Sequence, residues 1–346
     1  MEERISKVCV TGASGYIGSW LVKKLLEKGY QVHATIRNLG DKSKCGLLKN
    51  IPESEGRLSL FEADIYDSKS FEPAIKGCDF VFLVATPLQH SPCSSQYKDT
   101  TEAAVDAIHT ILRLCDESGS VKRVIYTGSV TAASPLKEDG TGFNNFIDES
   151  CWTPLDVSYA HSEDHEKAYV SSKTLSEKAV LSYNDDRRSK GSKLEVVSLA
   201  CGLVGGGDTI LPYTPLSVRV IVAPLTGEEI CHRQLMFLQA LLGSVPLIHI
   251  DDVCEAHIFC MERPSIAGRF LCAAGYPAMQ ECVDYFVKEF PGIKLIIKEV
   301  EGEGARVEPK SQKLVDLGFR YRYSVEEILN ESVRCARKMG SLKKMD

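Results

Sequence analysis

Tyr169 and Lys173 stand four residues apart in the run Tyr-Val-Ser-Ser-Lys, at the start of a predicted helix. This spacing places the two side chains one turn apart on the same helix face. A free phenol has a pKa of about 10 and exchanges protons poorly at neutral pH. A neighbouring ammonium group favours the phenolate, so the spacing predicts a tyrosine whose pKa is lowered for acid–base chemistry. The alternative is a stacked surface pair.

Ser129 lies two residues after the end of the predicted strand Lys122–Thr127. Ligands of parallel α/β sheets bind in the crevice outside the carboxyl ends of the strands. A hydroxyl at this place can hydrogen-bond a substrate carbonyl and orient it beside the phenol. Together with Tyr169 and Lys173, Ser129 completes the predicted catalytic set.

Three glycines follow the first predicted strand, in the run Thr-Gly-Ala-Ser-Gly-Tyr-Ile-Gly over residues 11–18. Their spacing permits a tight turn, a close approach of backbone N–H groups to a pyrophosphate, and close packing of helix on strand. The helix beyond them offers free N–H groups and its positive dipole end to the phosphates. Glycines also mark purely structural turns, but this strand–turn–helix setting predicts dinucleotide binding. The predicted contacts are Gly12, Ser14, Gly15, Tyr16, Ile17 and Gly18.

The end of the second predicted strand, Gln31–Ile36, indicates which dinucleotide is bound. An acidic residue there would accept hydrogen bonds from the ribose hydroxyls of NAD. This chain instead has Arg37, whose planar guanidinium suits a 2′-phosphate, with Lys42 and Lys44 nearby. The sequence therefore predicts NADPH, held in part by Arg37 and Lys44. The alternative for Arg37 is a solvated surface arginine.

Residues after the later predicted strands complete the predicted cofactor site. A carboxylate and an amide after the third strand can meet the adenine edge, and the segment after the fourth lies near the ribose. These contacts are predicted at Asp64, Ile65, Val84, Ala85, Thr86 and Thr127. The reaction that follows is a hydride transfer to an electrophilic carbon. Tyr169 protonates the developing oxyanion, Ser129 stabilises it, and Lys173 tunes the phenol and holds the nicotinamide ribose.

The elements that must position these residues alternate regularly through about residue 205. Runs rich in Val and Ile are separated by helical patterns, which is typical of a parallel sheet covered on both faces. The predicted strands are Ile5–Thr11, Gln31–Ile36, Leu58–Glu62, Phe80–Ala85, Lys122–Thr127 and Leu194–Ala200, with helices at 16–28, 98–116 and 164–184. Beyond them, a stretch broken by glycines and prolines precedes helical segments near 250–262, 277–290 and 324–339.

The fold class predicted from this rhythm is α/β, with a Rossmann-type doubly wound parallel sheet and a smaller C-terminal substrate lobe. We predict an NADP-binding domain over residues 1–204. Residues 205–346 form mainly the substrate-binding lobe, interwoven with the first domain, and part of 225–275 returns to the Rossmann sheet.

Composition restricts the class of protein further. The chain has 346 residues, 44% of them hydrophobic and 25% charged, and a net charge of −6. That charge argues against nucleic-acid or anionic-membrane binding, which require a basic surface. No signal-peptide stretch or run of about 20 apolar residues is present, so we expect a soluble cytoplasmic protein without a membrane span. The 13 cysteines show no Cys-x-x-Cys spacing, which predicts reduced core thiols.

His249, Asp251 and Asp252 are candidates for a metal site or for a helix cap. Their place before the predicted helix 250–262 favours the cap, with an aspartate accepting free backbone N–H groups. We therefore predict no metal site.

The chain resembles the extended short-chain dehydrogenase/reductases almost end to end, and within them the plant branch of dihydroflavonol reductase, anthocyanidin reductase and vestitone reductase. The resemblance lies in the glycine, Ser129 and Tyr169–Lys173 motifs. It extends to Val-Ala-Thr-Pro at 84–87, Asp-Glu-Ser-Cys-Trp at 148–152, Ser-Lys-Thr-Leu at 172–175, His-Ile-Asp-Asp at 249–252 and Lys-Leu-Val-Asp-Leu-Gly-Phe at 313–319. The runs 124–127 and 242–249 are most similar to anthocyanidin reductase.

This resemblance implies a Rossmann-type fold, NADPH, and a planar, ring-rich substrate held between the lobes. It adds the turn residues Cys201, Gly202 and Val204 to the predicted cofactor contacts. It adds Pro87, Ser134 and His165 to the predicted substrate contacts.

Several positions depart from the family's pattern. Cys201 replaces a usual proline, Lys167 a bulky aromatic residue and Thr110 an asparagine of a water relay. Ser134 stands where dihydroflavonol reductase has an asparagine. Dihydroflavonol reduction is therefore less favoured than reduction of a related carbonyl or flavylium-like substrate.

Three functional hypotheses follow. The leading one is an NADPH-dependent reductase of a flavonoid-like polyphenol. The second uses the same residues on an alkaloid, terpenoid or lignan ketone or lactol, in either direction. The third is a catalytically silent NADP-binding regulatory protein, against which the intact Ser129, Tyr169 and Lys173 argue. The predicted partner is a small planar polycyclic molecule, with monomer and homodimer both left open.

Overall fold

A computed structural model describes residues 5–86, 97–188, 191–302 and 307–342 of the chain. Its strands are β1 (Lys7–Val10), β2 (Gln31–Ile36), β3 (Leu58–Glu62), β4 (Phe80–Leu83), β5 (Arg123–Ser129), β6 (Phe146–Ile147), β7 (Glu195–Cys201), β8 (Leu203–Gly205), β9 (Leu247–His249), β10 (Gly268–Cys272) and β11 (Glu308–Pro309). Its helices are α1 (Tyr16–Glu27), α2 (Lys42–Lys49), α3 (Glu72–Ile75), α4 (Thr100–Glu117), α5 (Asp164–Arg188), α6 (Leu216–Ile221), α7 (Ala223–Thr226), α8 (Glu229–Leu242), α9 (Ile250–Glu262), α10 (Met279–Glu289), α11 (Lys313–Asp316) and α12 (Val325–Lys338).

The main sheet has seven strands in the order β10-β7-β5-β4-β1-β2-β3. The pairs β1–β2, β1–β4, β2–β3 and β4–β5 are parallel. The predicted Rossmann-type fold is thus confirmed, and the six predicted strands are six of the seven. Strand order reverses at the β1–β4 pair, which is where ligands bind in such sheets. Every residue of β5 is buried, as expected for a strand covered on both faces.

The helices are set by caps and apolar stripes that are visible in the sequence. Asp99 begins α4, where its carboxylate accepts the N–H of Glu102 at 2.9 Å. The buried residues of α4 recur at helical spacing: Ala103, Ala104, Ala107, Ile108, Ile111, Leu112 and Cys115. Ser324 and Glu327 form a reciprocal capping box at the start of α12. These features give the helices their bounds before packing adds to their stability.

The chain divides into two compact units. Unit 1 comprises the described residues of Met1–Gly128, Ser171–Leu199 and Cys254–Arg269. Unit 2 comprises those of Ser129–Val170, Ala200–Val253 and Phe270–Asp346. Residues 129–170, predicted in the first domain, belong to unit 2, and residues 254–269, within the stretch 225–275 predicted to return to the first domain, belong to unit 1. The changes of unit fall inside β5, α5, β7, α9 and β10, and a boundary within one element leaves no break in composition or periodicity.

Each unit has its own hydrophobic core. In unit 1, side chains from β1, β4, β5 and β7 pack with those of α3, α4 and α5. Ile111 and Tyr126 of this cluster, and Phe71 just before α3, are almost fully buried. In unit 2, α6, α8, α10 and α12 bury a second cluster. Twelve cysteines in the described part of the chain are free thiols, and all but Cys151 are buried. Cys9, Cys78 and Cys115 belong to the core of unit 1, and Cys231 and Cys282 to that of unit 2, where they act as small apolar residues.

His249 caps α9, although an aspartate was predicted to do so. Its Nδ1 accepts the N–H of Asp251 at 3.1 Å, and its Nε2 lies 3.0 Å from Glu331. The Asp252 carboxylate instead accepts the N–H groups of Arg322 and Tyr323, far along the chain.

No group of residues suited to a metal ion occurs in the described ranges. None of the helices in those ranges is both long and apolar enough to cross a bilayer.

Candidate active site

Ser129 and Tyr169 come together in unit 2, at the end of β5 and in the second turn of α5. The Ser129 hydroxyl is hydrogen-bonded to the Tyr169 phenol. Its oxygen also accepts from Thr131 twice, from Oγ1 at 2.9 Å and from the backbone N–H at 3.3 Å. A serine hydroxyl has one proton and two lone pairs. Because Thr131 occupies both lone pairs, Ser129 donates its proton to the phenol oxygen, and the Tyr169 O–H remains available to another acceptor.

The pKa of Tyr169 is raised, not lowered as predicted. Burial is the largest cause, because it disfavours the charged phenolate. The hydrogen bond from Ser129 lowers this pKa and the nearby Cys201 thiol raises it. The predicted lowering by Lys173 is therefore wrong for the protein by itself. At neutral pH the phenol carries its proton, which is the form that a proton donor requires.

Lys173 lies in unit 1, on the turn of α5 that follows Tyr169. Its ammonium group donates to Thr86 Oγ1 at 2.9 Å and to the Thr127 carbonyl at 3.2 Å. It lies 5.6 Å from the ring centroid of Tyr126, and the whole residue is 6% exposed. Thr86 and Thr127, predicted as cofactor contacts, thus hold the Lys173 ammonium group.

The glycine turn after β1 has the geometry of a phosphate cradle. Gly12 has φ +64°, and a Cβ on it would lie 3.0 Å from Ala85 Cα. A Cβ on Gly18 would lie 2.4 Å from the Gly12 carbonyl oxygen, so both positions require glycine. Gly15 is different, because it is exposed and a Cβ there meets only Gly12 O at 3.4 Å. The fold itself leaves room at Gly15, as expected where a ligand's phosphate is the close neighbour.

The start of α1 is also open to an anion. Gly15 is its N-cap, and no side chain caps the helix. The first N–H groups of such a helix point outward together with its positive dipole end. Beside this turn, Thr11 Oγ1 accepts the N–H groups of Val84 and Ala85, each at 2.9 Å. That hydroxyl joins the ends of β1 and β4, where the strand order reverses. The predicted Ser14 is half-buried in the same turn.

The residues predicted to bind the adenosine end of the cofactor differ in their exposure and in the contacts that they already make. Arg37 is exposed directly after β2. Lys44 is exposed too, but its ammonium group lies 3.3 Å from Asp41, which also caps α2 by accepting the Lys44 N–H. Asp64 accepts the N–H of Tyr66 at 3.1 Å, and the Ile65 side chain is buried. Arg37 is thus the more available of the two predicted phosphate ligands.

The turn predicted to touch the nicotinamide amide lies in unit 2. Cys201 ends β7 and is 5% exposed, close enough to Tyr169 to raise the phenol's pKa. The N–H of Gly202 donates to the Cys272 carbonyl at 3.0 Å. A Cβ on Gly202 would lie 2.7 Å from the Pro246 carbonyl oxygen, so this position excludes a side chain. Val204 is buried in β8.

Of the three residues predicted to contact the substrate, the structure describes Ser134 and His165. Pro87 lies outside the described residues. Ser134 is 1% exposed; its hydroxyl donates to the Leu241 carbonyl and accepts the N–H of Leu136 at 3.0 Å. That hydroxyl therefore links the chain to the end of α8. His165 is exposed, with Nδ1 3.0 Å from Glu166.

The charged stretch before Tyr169 is held by polar contacts within unit 2. His161, at φ +57°, places its Nε2 2.6 Å from the Glu301 carboxylate. Glu163 accepts from Arg233 of α8 at 2.6 Å. The Tyr159 ring packs near Phe237 of α8, with 5.9 Å between their centroids. The stretch thus has specific partners on α8 and on the segment near 301.

Three residues that sequence reasoning missed support the predicted set. Thr131 orients Ser129, and a threonine two residues after a serine at a strand end is a signal for such a turn. Thr11 holds the segment after β4. His257 on α9 lies 2.8 Å from Thr127 Oγ1, a contact between residues 130 positions apart that no local pattern indicates.

The parallel sheet and glycine turn define the class of Rossmann-type dinucleotide-binding proteins. Residues 8–270 match the NAD dependent epimerase/dehydratase family, and the chain belongs to this family. The predicted kinship with the extended short-chain dehydrogenase/reductases is thereby confirmed.

Plant reductases are among the most similar relatives. A Ginkgo biloba protein named "Putative anthocyanidin reductase" is 38% identical over 337 residues, covering 97% of this chain and 95% of its own. A (2S)-flavan-3-ol-forming anthocyanidin reductase from Vitis vinifera is 34% identical, with 96% of each chain covered. A dihydroflavonol 4-reductase from Callistephus chinensis is 32% identical, covering 99% of this chain and 89% of its own. The crystal structure of vestitone reductase from alfalfa (Medicago sativa L.) has a TM-score of 0.77 at 30% identity, covering 97% and 99%.

Proposed function

We propose that this protein is an NADPH-dependent reductase of a flavonoid-like polyphenol, acting at a carbonyl or a conjugated oxygen-bearing ring. The observation that carries the proposal is the hydrogen bond between Ser129 and Tyr169, with both serine lone pairs taken by Thr131. It leaves a protonated phenol with its O–H free for a substrate oxygen. A raised pKa favours the protonated phenol, which is the form that reduction of a substrate requires.

The residues present fit NADPH. The open position at Gly15, the uncapped start of α1 and the exposed Arg37 suit a pyrophosphate and a 2′-phosphate. Lys173, held by Thr86 and Thr127, is the residue proposed to hold the nicotinamide ribose. When bound, NADPH supplies the hydride.

The chain's own residues supply the rest of the chemistry. Tyr169 gives its proton to the oxygen that gains negative charge during reduction. Ser129 carries one O–H, which can rotate from the phenol to that oxygen and stabilise it. Partial burial of Tyr169 disfavours the phenolate, so the proton stays on the oxygen until the substrate accepts it.

The relatives support the proposed substrate class, because their names include anthocyanidin reductase and dihydroflavonol 4-reductase. The engaged hydroxyl of Ser134 supports a substrate other than a dihydroflavonol. We propose further that the substrate is planar and polycyclic, that the protein is cytoplasmic and acts in plant specialised metabolism, and that it is a monomer or homodimer. Size-exclusion chromatography with light scattering decides between the two assembly states.

Loss of NADPH absorbance with a panel of an anthocyanidin, a dihydroflavonol, an alkaloid ketone and a terpenoid ketone tests the function. We expect turnover of the anthocyanidin. The variant Tyr169→Phe should abolish it with NADPH affinity intact, whereas Tyr213→Phe, which removes an exposed phenol, serves as the matched control. Tight NADPH binding without turnover of any compound would refute the reductase and favour a silent binding protein. If only an alkaloid or terpenoid ketone is turned over, the proposed substrate class changes from a flavonoid-like polyphenol to such a ketone.

A further inference from the structure

Glu177 is a fully buried acid on α5, one turn beyond Lys173. It is 0% exposed, and its two carboxylate oxygens have separate partners in unit 1. Ser198 of β7 donates its hydroxyl to Oε1 at 2.5 Å, and Arg269 of β10 donates Nη2 to Oε2 at 2.9 Å. Ser198 is 0% and Arg269 6% exposed, so the whole group is withdrawn from water. The proposed reaction assigns no role to any of these three residues.

A second polar side chain joins the same helix to β7. Asn184 donates Nδ2–H to the Val196 carbonyl at 2.9 Å and accepts the Val196 N–H on Oδ1 at 3.0 Å. Lys173, Glu177 and Asn184 follow the spacing i, i+4 and i+11, which places them along one side of a helix. Val196 and Ser198 lie two residues apart on β7. The helix is therefore joined to the sheet at two levels by side chains with specific partners.

A buried ion pair is a weak source of net stability, because taking two charges out of water offsets most of their attraction. Breaking such a pair is strongly unfavourable, because it leaves a buried charge without a partner. An α-helix that slips by one residue moves about 1.5 Å along its axis and turns about 100°. Such a slip would take Glu177 away from both Arg269 and Ser198. The pair thus opposes alternative placements of α5 more than it stabilises the fold.

The placement of α5 decides where the Lys173 ammonium group lies. That group reaches Thr86 Oγ1 at 2.9 Å and the Thr127 carbonyl at 3.2 Å, and a shift of 1.5 Å exceeds what hydrogen bonds tolerate. We propose that Glu177, with Arg269 and Ser198, is a positioning group that fixes α5 so that Lys173 is held for the reaction. This assignment rests on the proposed function of Lys173. Glu177 acts through Lys173 and touches neither substrate nor cofactor in the proposed reaction.

A compensated variant separates positioning from stabilisation. The triple substitution Glu177→Met, Ser198→Ala and Arg269→Met removes both charges and the hydroxyl and leaves apolar groups in their place. Because apolar replacements of buried ion pairs are often neutral or stabilising, we expect a Tm at or above that of the unmodified protein. We expect kcat to fall about 10- to 100-fold, because misplacement by about 1 Å has effects of this size. We also expect a change in the pH at which kcat falls on the alkaline side of its pH profile. Lys178→Gln, on the exposed side of α5, is the matched control.

A readout independent of turnover uses the protein without cofactor. Competitive acetylation followed by mass spectrometry reports the reactivity of Lys173, which is low when its ammonium group is buried and hydrogen-bonded. We expect several-fold faster acetylation of Lys173 in the compensated variant and no change in Lys178→Gln. Should the triple variant fail to fold, Ser198→Ala removes one partner of Glu177 and keeps the ion pair. It should raise Lys173 reactivity by a smaller factor.

The outcomes are distinguishable. A folded triple variant, or Ser198→Ala in its place, with unchanged kcat, pH profile and Lys173 acetylation overturns the positioning role and leaves the pair as a stabilising contact only. If the unmodified protein turns over no compound of the panel, the proposed function fails, and Lys173 acetylation still decides whether Glu177 positions this lysine.

Discussion

Removal of the Thr131 hydroxyl tests which groups donate and which accept the hydrogen bonds at Ser129 and Tyr169. In Thr131→Val the side chain keeps its volume but no longer donates to Ser129 Oγ, a bond of 2.9 Å. The bond from the Thr131 backbone N–H at 3.3 Å remains, as does that from Thr153 Oγ1 to the Thr131 carbonyl. The substitution therefore frees one lone pair on the serine oxygen and leaves the neighbouring backbone bonds in place.

The freed lone pair competes for the phenol's proton. Tyr169 can then donate to Ser129 instead of to the substrate, and that bond must be broken before proton transfer. A net hydrogen bond is worth about 1 kcal/mol, which corresponds to about a fivefold lower kcat/KM. Ser129→Ala, which removes the proposed oxyanion donor itself, should lower kcat/KM about 100-fold or more.

Steady-state kinetics with NADPH and the turned-over panel compound measures these effects. Thr131→Ser keeps a hydroxyl and should restore most of the rate lost in Thr131→Val. In a Ser129→Ala background, Thr131→Val should have no further effect, because the two residues act through one oxygen. The reasoning is refuted if Thr131→Val lowers kcat/KM equally in both backgrounds, or if Thr131→Ser is as slow as Thr131→Val.

Three further predictions concern the cofactor and pH. Arg37→Ala should weaken NADPH binding far more than NADH binding in fluorescence titrations, and equal losses would count against a 2′-phosphate contact. Gly15→Ala should leave the Tm nearly unchanged but weaken NADPH binding, since within the fold a Cβ there meets only Gly12 O at 3.4 Å and the pyrophosphate is the proposed close neighbour; a large fall in Tm would contradict this. The rate of reduction should not fall through loss of the Tyr169 proton below a pH of about 10, because burial raises the pKa of that phenol above its ordinary value. A fall in rate centred near pH 7, accompanied by a phenolate absorbance change that is missing from Tyr169→Phe, would show a lowered pKa instead.

The helices and strands differ in how well the sequence predicted them. Strands such as β2 and β3 have the predicted bounds. Apolar residues alternate with polar ones along β2 and at the start of β3, which is the period of a strand. Helix α8 was missed in a stretch that contains several glycines and prolines. Cys231, Leu235, Leu238 and Leu242 follow one stripe, but His232, Met236, Phe237 and Leu241 are buried too, so burial covers most sides of the helix. A helix buried on most sides shows no clear amphipathic period.

At the candidate site, the sequence predicted poorly those features that depend on residues far away in the chain. The cap of α9 was assigned to an aspartate because of its place in the sequence. The Asp252 carboxylate binds the backbone of Arg322 and Tyr323, about 70 residues away, which leaves His249 to cap the helix. Ser134 was predicted to face a substrate, and its hydroxyl is bonded to Leu241. The roles of Arg37 and His165 stay predictions.

The sequence by itself determined the features that depend on neighbours along the chain. The glycine turn after β1, the apolar strands and the four-residue spacing of Tyr169 and Lys173 are of this kind, because turn geometry and helical or strand periodicity act over a few residues. Tertiary structure alone decided what depends on burial and on distant partners. The direction of the Tyr169 pKa, the hydrogen bonds that hold Lys173 and the enclosure of Glu177 between Ser198 and Arg269 arise only when the chain folds and removes these groups from water.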